Sequence, residues 1–250
     1  MVLKLQGMKL EGLPSAVDLP LLKVLHLEDL TISEFKSLAE LLSGCPNLED
    51  LKTMGLFITC YESYREIKTL PKLVRADVSL ESTYVLFRDV VENVKFLRLD
   101  EIYDVVLNES ARQYPDFIPM FHNLTRIELD YCKFNSDCSE VVELLNHCPK
   151  LQDLVIDQPN VESDLFEEPL QYPSSVPECI LSHLQRCYIN CYRGTKGEFR
   201  FAKYIMENGR FLKRMTISSG IARNPQRKRK MLKELSSCAR QSETCKLSFK

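Results

Sequence analysis

Residues 43–51 read SGCPNLEDL and residues 146–154 read NHCPKLQDL, two near copies 103 residues apart. In each, a Cys-Pro pair is followed by two leucines three positions apart, Leu48 and Leu51 in the first and Leu151 and Leu154 in the second. Adding a small or apolar residue two positions further on, the same triplet recurs along the chain. Its instances are Leu22/Leu25/Leu27, Leu48/Leu51/Thr53, Leu73/Ala76/Val78, Val94/Leu97/Leu99, Leu124/Ile127/Leu129, Leu151/Leu154/Ile156, Leu184/Cys187/Ile189 and Leu212/Met215/Ile217. Successive first positions stand 21 to 33 residues apart.

Because side chains alternate across a strand, the second and third members of each triplet share one face, while the first turns inward where the strand begins. Helical spacing follows in two places: Phe35, Leu38, Leu41 and Leu42, and then Val141, Val142, Leu144 and Leu145. Pro46 and Pro149 end these helices, since the residue before a proline is pushed out of the helical region. A repeat of about 20 to 29 residues with this inner pattern is that of leucine-rich repeats, so the longer intervals carry insertions. The expected fold class is therefore α/β, a leucine-rich-repeat solenoid with parallel strands on the concave face and helices on the convex face. Val2, Leu3 and Leu5 already read as the inner face of a strand, so the first repeat is expected to be truncated, with no N-terminal cap.

Composition narrows the function classes. The 250 residues are 44% hydrophobic and 27% charged, and 33 basic against 35 acidic residues leave a net charge of −2, with no global field for a polyanion. No secretory leader or long apolar run is evident, which predicts a soluble protein of the cytoplasm, the nucleus or both, without membrane contact. The ten cysteines contain no Cys-x-x-Cys pair, and Cys187 with Cys191 or Cys132 with Cys138 lacks a matching second ligand pair. They read as free thiols, buried or partly buried. His26, His122, His147 and His183 fall in separate repeats without triad spacing, and no phosphate-cradling or hydrolase motif occurs. Neither enzyme, metal site nor cofactor is expected. The one dense charge block, from Arg223 through Arg227, Lys228, Arg229 and Lys230, reads first as a solvated helix face and second as a nucleic-acid contact or nuclear signal.

The stretch 158–177 is acidic, contains prolines and has no helical period, and reads as a linker. Beyond it, Leu184–Ile189 is expected as a strand, Glu198–Asn208 as a helix closed by Gly209, Leu212–Ile217 as a strand, Pro225 to about Cys238 as a helix, and Lys246–Phe249 as a last strand. An ordered series of motifs runs through this half: SVPEC at 175–179, YRG at 192–194, FAKYIMENGRFLKRMTI at 201–217, MLKELSS at 231–237, then Cys245, Leu247 and Phe249. With LPLLKVLHLEDL at 19–30 and GCPNLEDL at 44–51, the chain resembles the plant F-box proteins that carry leucine-rich repeats followed by an FBD domain. The resemblance implies repeats over 1–157 and an FBD module over 178–250. No counterpart of the family's F-box stands in the sequence, and Leu170 occupies the place where the family usually has tryptophan.

On the strands, the residue between the second and third anchors points away from the core. Reading across gives His26, Lys52, Asp77, Arg98, Glu128, Val155, Tyr188 and Thr216, and two residues earlier Val24, Asp50, Arg75, Phe96, Arg126, Asp153, Arg186 and Arg214. The alternating signs of Lys52, Asp77, Arg98 and Glu128 fit a self-satisfied ladder. The same face also fits a docking surface, in which Lys52, Arg75, Asp77, Phe96, Arg98, Arg126, Glu128 and Tyr188 are the candidate partner-binding residues, since aromatics and arginine dominate binding hot spots. The expected function is noncatalytic protein recognition, resembling the substrate-reading part of an SCF ubiquitin-ligase F-box protein. A Skp-type adaptor is expected only if an F-box is supplied. The alternatives are a complete F-box adaptor with that segment outside this sequence, and a basic-patch nucleic-acid binder, the less favoured partner class.

Overall fold

A computed structural model describes residues 1–12, 17–60, 69–79, 90–100, 118–130, 132, 139–158, 175–219 and 225–250. These fall into two compact units, the described residues of 1–100 and 118–124 in the first and those of 125–250 in the second.

The first unit contains, in chain order, β1 (Val2–Gln6), β2 (Lys9–Leu10), β3 (Val24–Glu28), β4 (Thr31–Ile32), α1 (Phe35–Ser43), β5 (Asp50–Met54), β6 (Phe57–Ile58), β7 (Arg75–Ser79) and β8 (Phe96–Asp100). Five strands pair in parallel in the order β1, β3, β5, β7, β8, without offset, so Leu3, Leu25, Leu51, Ala76 and Leu97 stand side by side. This register places like anchors on like anchors, and from Leu25 to Leu97 each is wholly buried. Val2 departs from the sequence reading. It pairs opposite Val24 on the other face from Leu3 and Leu5 and is 58% exposed, because a period of two cannot put residues 2 and 3 on one side.

After each of the first three long strands the chain turns through a left-handed residue, Gly7 (φ 64°), Asp29 (φ 53°) and Gly55 (φ 60°). Gly55 is needed there for space as well, since a Cβ would lie 2.7 Å from Asp29 Oδ1. The turns deliver β2, β4 and β6 into a second small parallel sheet, not expected from the sequence, that buries Leu30, Ile32, Leu56 and Ile58. Two-residue strands are too short to show a period. Helix α1 buries the expected Phe35, Leu38, Leu41 and Leu42, and its last turn is closed by the Gly44 N–H donating to Glu40 O and by the Cys45 thiol on Leu41 O at 3.1 Å.

The second unit runs β9 (Arg126–Asp130), α2 (Ser139–Asn146), β10 (Asp153–Ile156), α3 (Glu178–Ser182), β11 (Arg186–Ile189), α4 (Lys196–Asn208), β12 (Arg214–Ile217), α5 (Pro225–Ser236) and β13 (Lys246–Phe249). Its five strands also pair in parallel, in chain order and without offset. Every member of the eight predicted triplets is buried to 2% exposure or less, including Thr53 and Cys187. The short helix α3 was not read from the sequence, whereas α4, α5 and β13 stand where expected. The linker residues 159–174, Leu170 among them, lie outside the described residues.

Helix α4 starts with a capping box: Thr195 Oγ1 accepts from Glu198 N, and the Glu198 carboxylate accepts from Thr195 N at 2.8 Å. Glu198 is wholly buried and also accepts from Arg193 N at 3.0 Å, with the Arg193 guanidinium 3.6 Å away. One carboxylate thus ties the YRG turn to the helix. Gly194 in that turn has φ +77°, and a Cβ there would meet Met231 Cε at 2.9 Å, so the turn packs closely on α5. All nine described cysteines are free, and six are buried.

Candidate interaction surface on the sheets

Alternation that buries the anchors leaves the other residues of each strand on the opposite face, and in the first unit these residues are organised by charge. Arg75 lies over the Phe96 ring with its guanidinium carbon 3.7 Å from the centroid, since the two occupy paired positions on β7 and β8. The stack leaves 44% of the Arg75 side chain accessible. Arg75 Nε also stands 4.0 Å from Asp50 Oδ2, and His26 Nε2 lies 3.6 Å from the other oxygen of the same carboxylate. His26 lacks triad spacing in the sequence; parallel pairing of β3 with β5 brings the Asp50 carboxylate beside it.

Lys52, Asp77 and Arg98 are adjacent in register, as the expected ladder requires. Arg98 Nε is 4.0 Å from Asp77 Oδ1, and Asp77 is nearly buried at 7% exposure. Lys52 instead meets Glu28 at 3.0 Å. Glu28 was absent from the candidate set although its signal is simple: it stands two residues beyond His26, on the third outward row.

In the second unit Arg126 folds back onto Glu128 of its own strand, Nε to Oε1 2.9 Å, and reaches Asp153 at 4.0 Å. Asp153, 6% exposed, receives Nε and Nη2 of Arg186 in a bidentate pair. Tyr188 is half-buried two residues along β11. The candidate residues therefore form two clusters, Lys52, Arg75, Asp77, Phe96 and Arg98 in the first unit, and Arg126, Glu128 and Tyr188 in the second. Pairs of this kind near water contribute about 0 to 1 kcal/mol each, so their main effect is to hold side chains in place.

Among the described residues no three His, Cys, Asp or Glu side chains gather in a metal-holding group, and no helix is long and apolar enough to cross a membrane. Burial pushes the thiols of Cys179 and Cys187 up to about 12, far from a reactive thiolate. Arg223, at the start of the basic run, lies outside the described residues; from α5, Arg227 donates to Arg193 O at 3.0 Å, and Lys228 stands 5.7 Å from the Phe249 ring centroid.

Comparison with known proteins accounts for this repeat pattern and its C-terminal motifs together. The FBD family model matches residues 171–217, and a leucine-rich-repeat model matches residues 21–46. A putative F-box/FBD/LRR-repeat protein of Arabidopsis thaliana is 30% identical over 298 aligned residues, covering 99% of this chain and 65% of that protein. A second from the same plant is 30% identical over 299 residues, covering 100% of this chain and 67% of its own length. The chain belongs to the F-box/FBD/LRR-repeat family. An FBD-associated F-box protein of Arabidopsis thaliana adds 29% identity over 95% of this chain. The chain spans 64 to 67% of the length of these relatives. In its F-box/FBD/LRR frame the FBD match begins before α3 and ends with β12.

Proposed function

We propose that this F-box/FBD/LRR chain is a noncatalytic reader of a protein partner, and that the outward sheet face around Arg75 and Phe96 is where the partner docks. The observation that supports this most is the stacked pair itself. A guanidinium stationed over an aromatic ring with a carboxylate 4.0 Å away is pre-organised, loses little entropy on binding, and remains accessible. Arg98, also 39% accessible, extends the same patch, and Lys52 borders it. Arginine and aromatic anchors of this kind supply most of the energy of protein interfaces.

Within a longer F-box protein, this chain would serve as the substrate-reading part of a ubiquitin ligase, with repeats to residue 157 and an FBD module from residue 178. Contact with a Skp-type adaptor would belong to an F-box segment. Affinity capture from plant cells with tagged chain, and with a Arg75→Ala, Phe96→Ala, Arg98→Ala variant of unchanged circular dichroism, tests the reading. A reproducible partner lost from the variant is the expected result. Partners captured equally by both would overturn the docking face, and adaptor recovered with the 250-residue chain alone would overturn the division of labour.

A further inference from the structure

The second unit carries a charge imbalance that its own pairing leaves in place. Parallel register puts Arg186, Arg214 and Lys246 side by side on β11, β12 and β13. Asp153 neutralises Arg186, but among the described residues neither Arg214 nor Lys246 has an acidic partner, and both are exposed. Like charges directly opposite one another on neighbouring strands destabilise a sheet. Two steps of about 4.8 Å make the row roughly 10 Å long.

The next outward row on the same strands is Tyr188, Thr216 and Ser248, three hydroxyl side chains in register, with Tyr188 and Ser248 half-buried and Thr216 nearly buried at 6% exposure. Cations in one row and hydroxyl donors in the next suit a chain of carboxylates. Lys213 adds a further exposed ammonium at the head of β12, held by Gln185 at 3.0 Å, and Phe211 beside it is 56% exposed. Among the described residues, Asp153 beside the row is already engaged by Arg186, and Glu243 in the turn before β13 is exposed.

We infer that the β11–β13 face of the FBD end binds an acidic, extended segment of a protein partner, its carboxylates lying across Arg214 and Lys246. A protein segment fits better than nucleic acid because the cationic row is short, is bordered by neutral hydroxyls and an exposed aromatic ring, and sits on a chain of net charge −2. This surface is built from other residues on other strands than the Arg75 and Phe96 patch, and either can fail without the other.

The test is fluorescence anisotropy of the full chain with a labelled glutamate-rich peptide, and with a single-stranded oligonucleotide of equal charge. Two charge-reversed variants are compared, Arg214→Glu with Lys246→Glu, and Arg229→Glu with Lys233→Glu on exposed positions of α5 as the control of identical net charge. The peptide should bind the parent chain, weaken with salt, lose about tenfold or more in the first variant and hold within about twofold in the second. Equal losses in both variants, no loss in the first, or tighter binding of the oligonucleotide than of the peptide would each overturn the inference. Unchanged circular dichroism and melting of both variants keep misfolding out of the comparison.

Discussion

Arg186 grips both carboxylate oxygens of Asp153 across the β10–β11 pair, while Arg126 approaches the same carboxylate from β9 at 4.0 Å. One acid, nearly buried, thus organises two arginines on neighbouring strands. Asp153→Asn removes the charge and keeps the shape. With half of the Arg186 side chain in water, the cost to stability should stay near 1 kcal/mol by urea unfolding. The freed Arg186 then joins Arg214 and Lys246, so the same variant should bind the glutamate-rich peptide more tightly than the parent. Weaker binding would show that Asp153 positions the row instead of masking it.

Neighbouring residues on β5 separate core from surface. Leu51 is wholly buried between Leu25 and Ala76, whereas Lys52 points outward to Glu28. Leu51→Ala should cost about 2 to 5 kcal/mol, and Lys52→Ala less than about 1 kcal/mol, in parallel denaturation series. Equal effects would contradict the alternation on which the outward face is defined.

Glu198 is a structural carboxylate. It satisfies the backbone N–H groups of Arg193 and Thr195 and faces the Arg193 guanidinium from a fully buried position. Glu198→Ala leaves a buried cation and open donors, and should destabilise the chain by about 3 to 5 kcal/mol in urea unfolding. The peptide-binding row lies on other elements, so binding measured where the variant is still folded should be retained.

The buried thiols set an alkaline limit. Burial raises Cys187 from an ordinary 9.0 to about 12, and Cys179 likewise, so between those values the folded chain holds protons that the unfolded chain has released. The stability these two thiols contribute is therefore fully present below pH 9 and is lost as pH rises from there toward 12. Cys187→Ala with Cys179→Ala should flatten that fall, read as the melting temperature between pH 8 and 10.5, even though the variant starts less stable. An unchanged slope would assign the alkaline loss to other groups.

Much of this architecture was legible from one spacing. The triplet of Leu48, Leu51 and Thr53 and its seven counterparts located eight strands, because burial of three positions per repeat imposes a rigid interval on the sequence. β13 carries Leu247 and Phe249 at the later two positions but Thr244 at the first, so Lys246 was found as a strand residue and missed as a member of the outward row. The small sheet of β2, β4 and β6 was invisible, as a two-residue strand has no period, although Gly7 and Gly55 at matching turns mark its approach. The candidate residues occupy the strand positions that alternate with the buried anchors, Asp77 nearly buried among them, yet which acid each base would choose was not readable. Lys52 stands in register with His26 and Asp77, yet its ammonium meets Glu28.

The central claim is that a partner docks on the outward face at Arg75 and Phe96, and the most direct measurement is photocrosslinking from that position. The full chain carrying benzoylphenylalanine at 96 is irradiated in plant extract, with the same group at the exposed Leu232 of α5 as comparison. A discrete crosslinked protein from position 96, competed by unlabelled parent chain, not competed by an Arg75→Ala, Arg98→Ala variant and absent from position 232, is the predicted result. No competed product from position 96, or the same products from both positions, would contradict it.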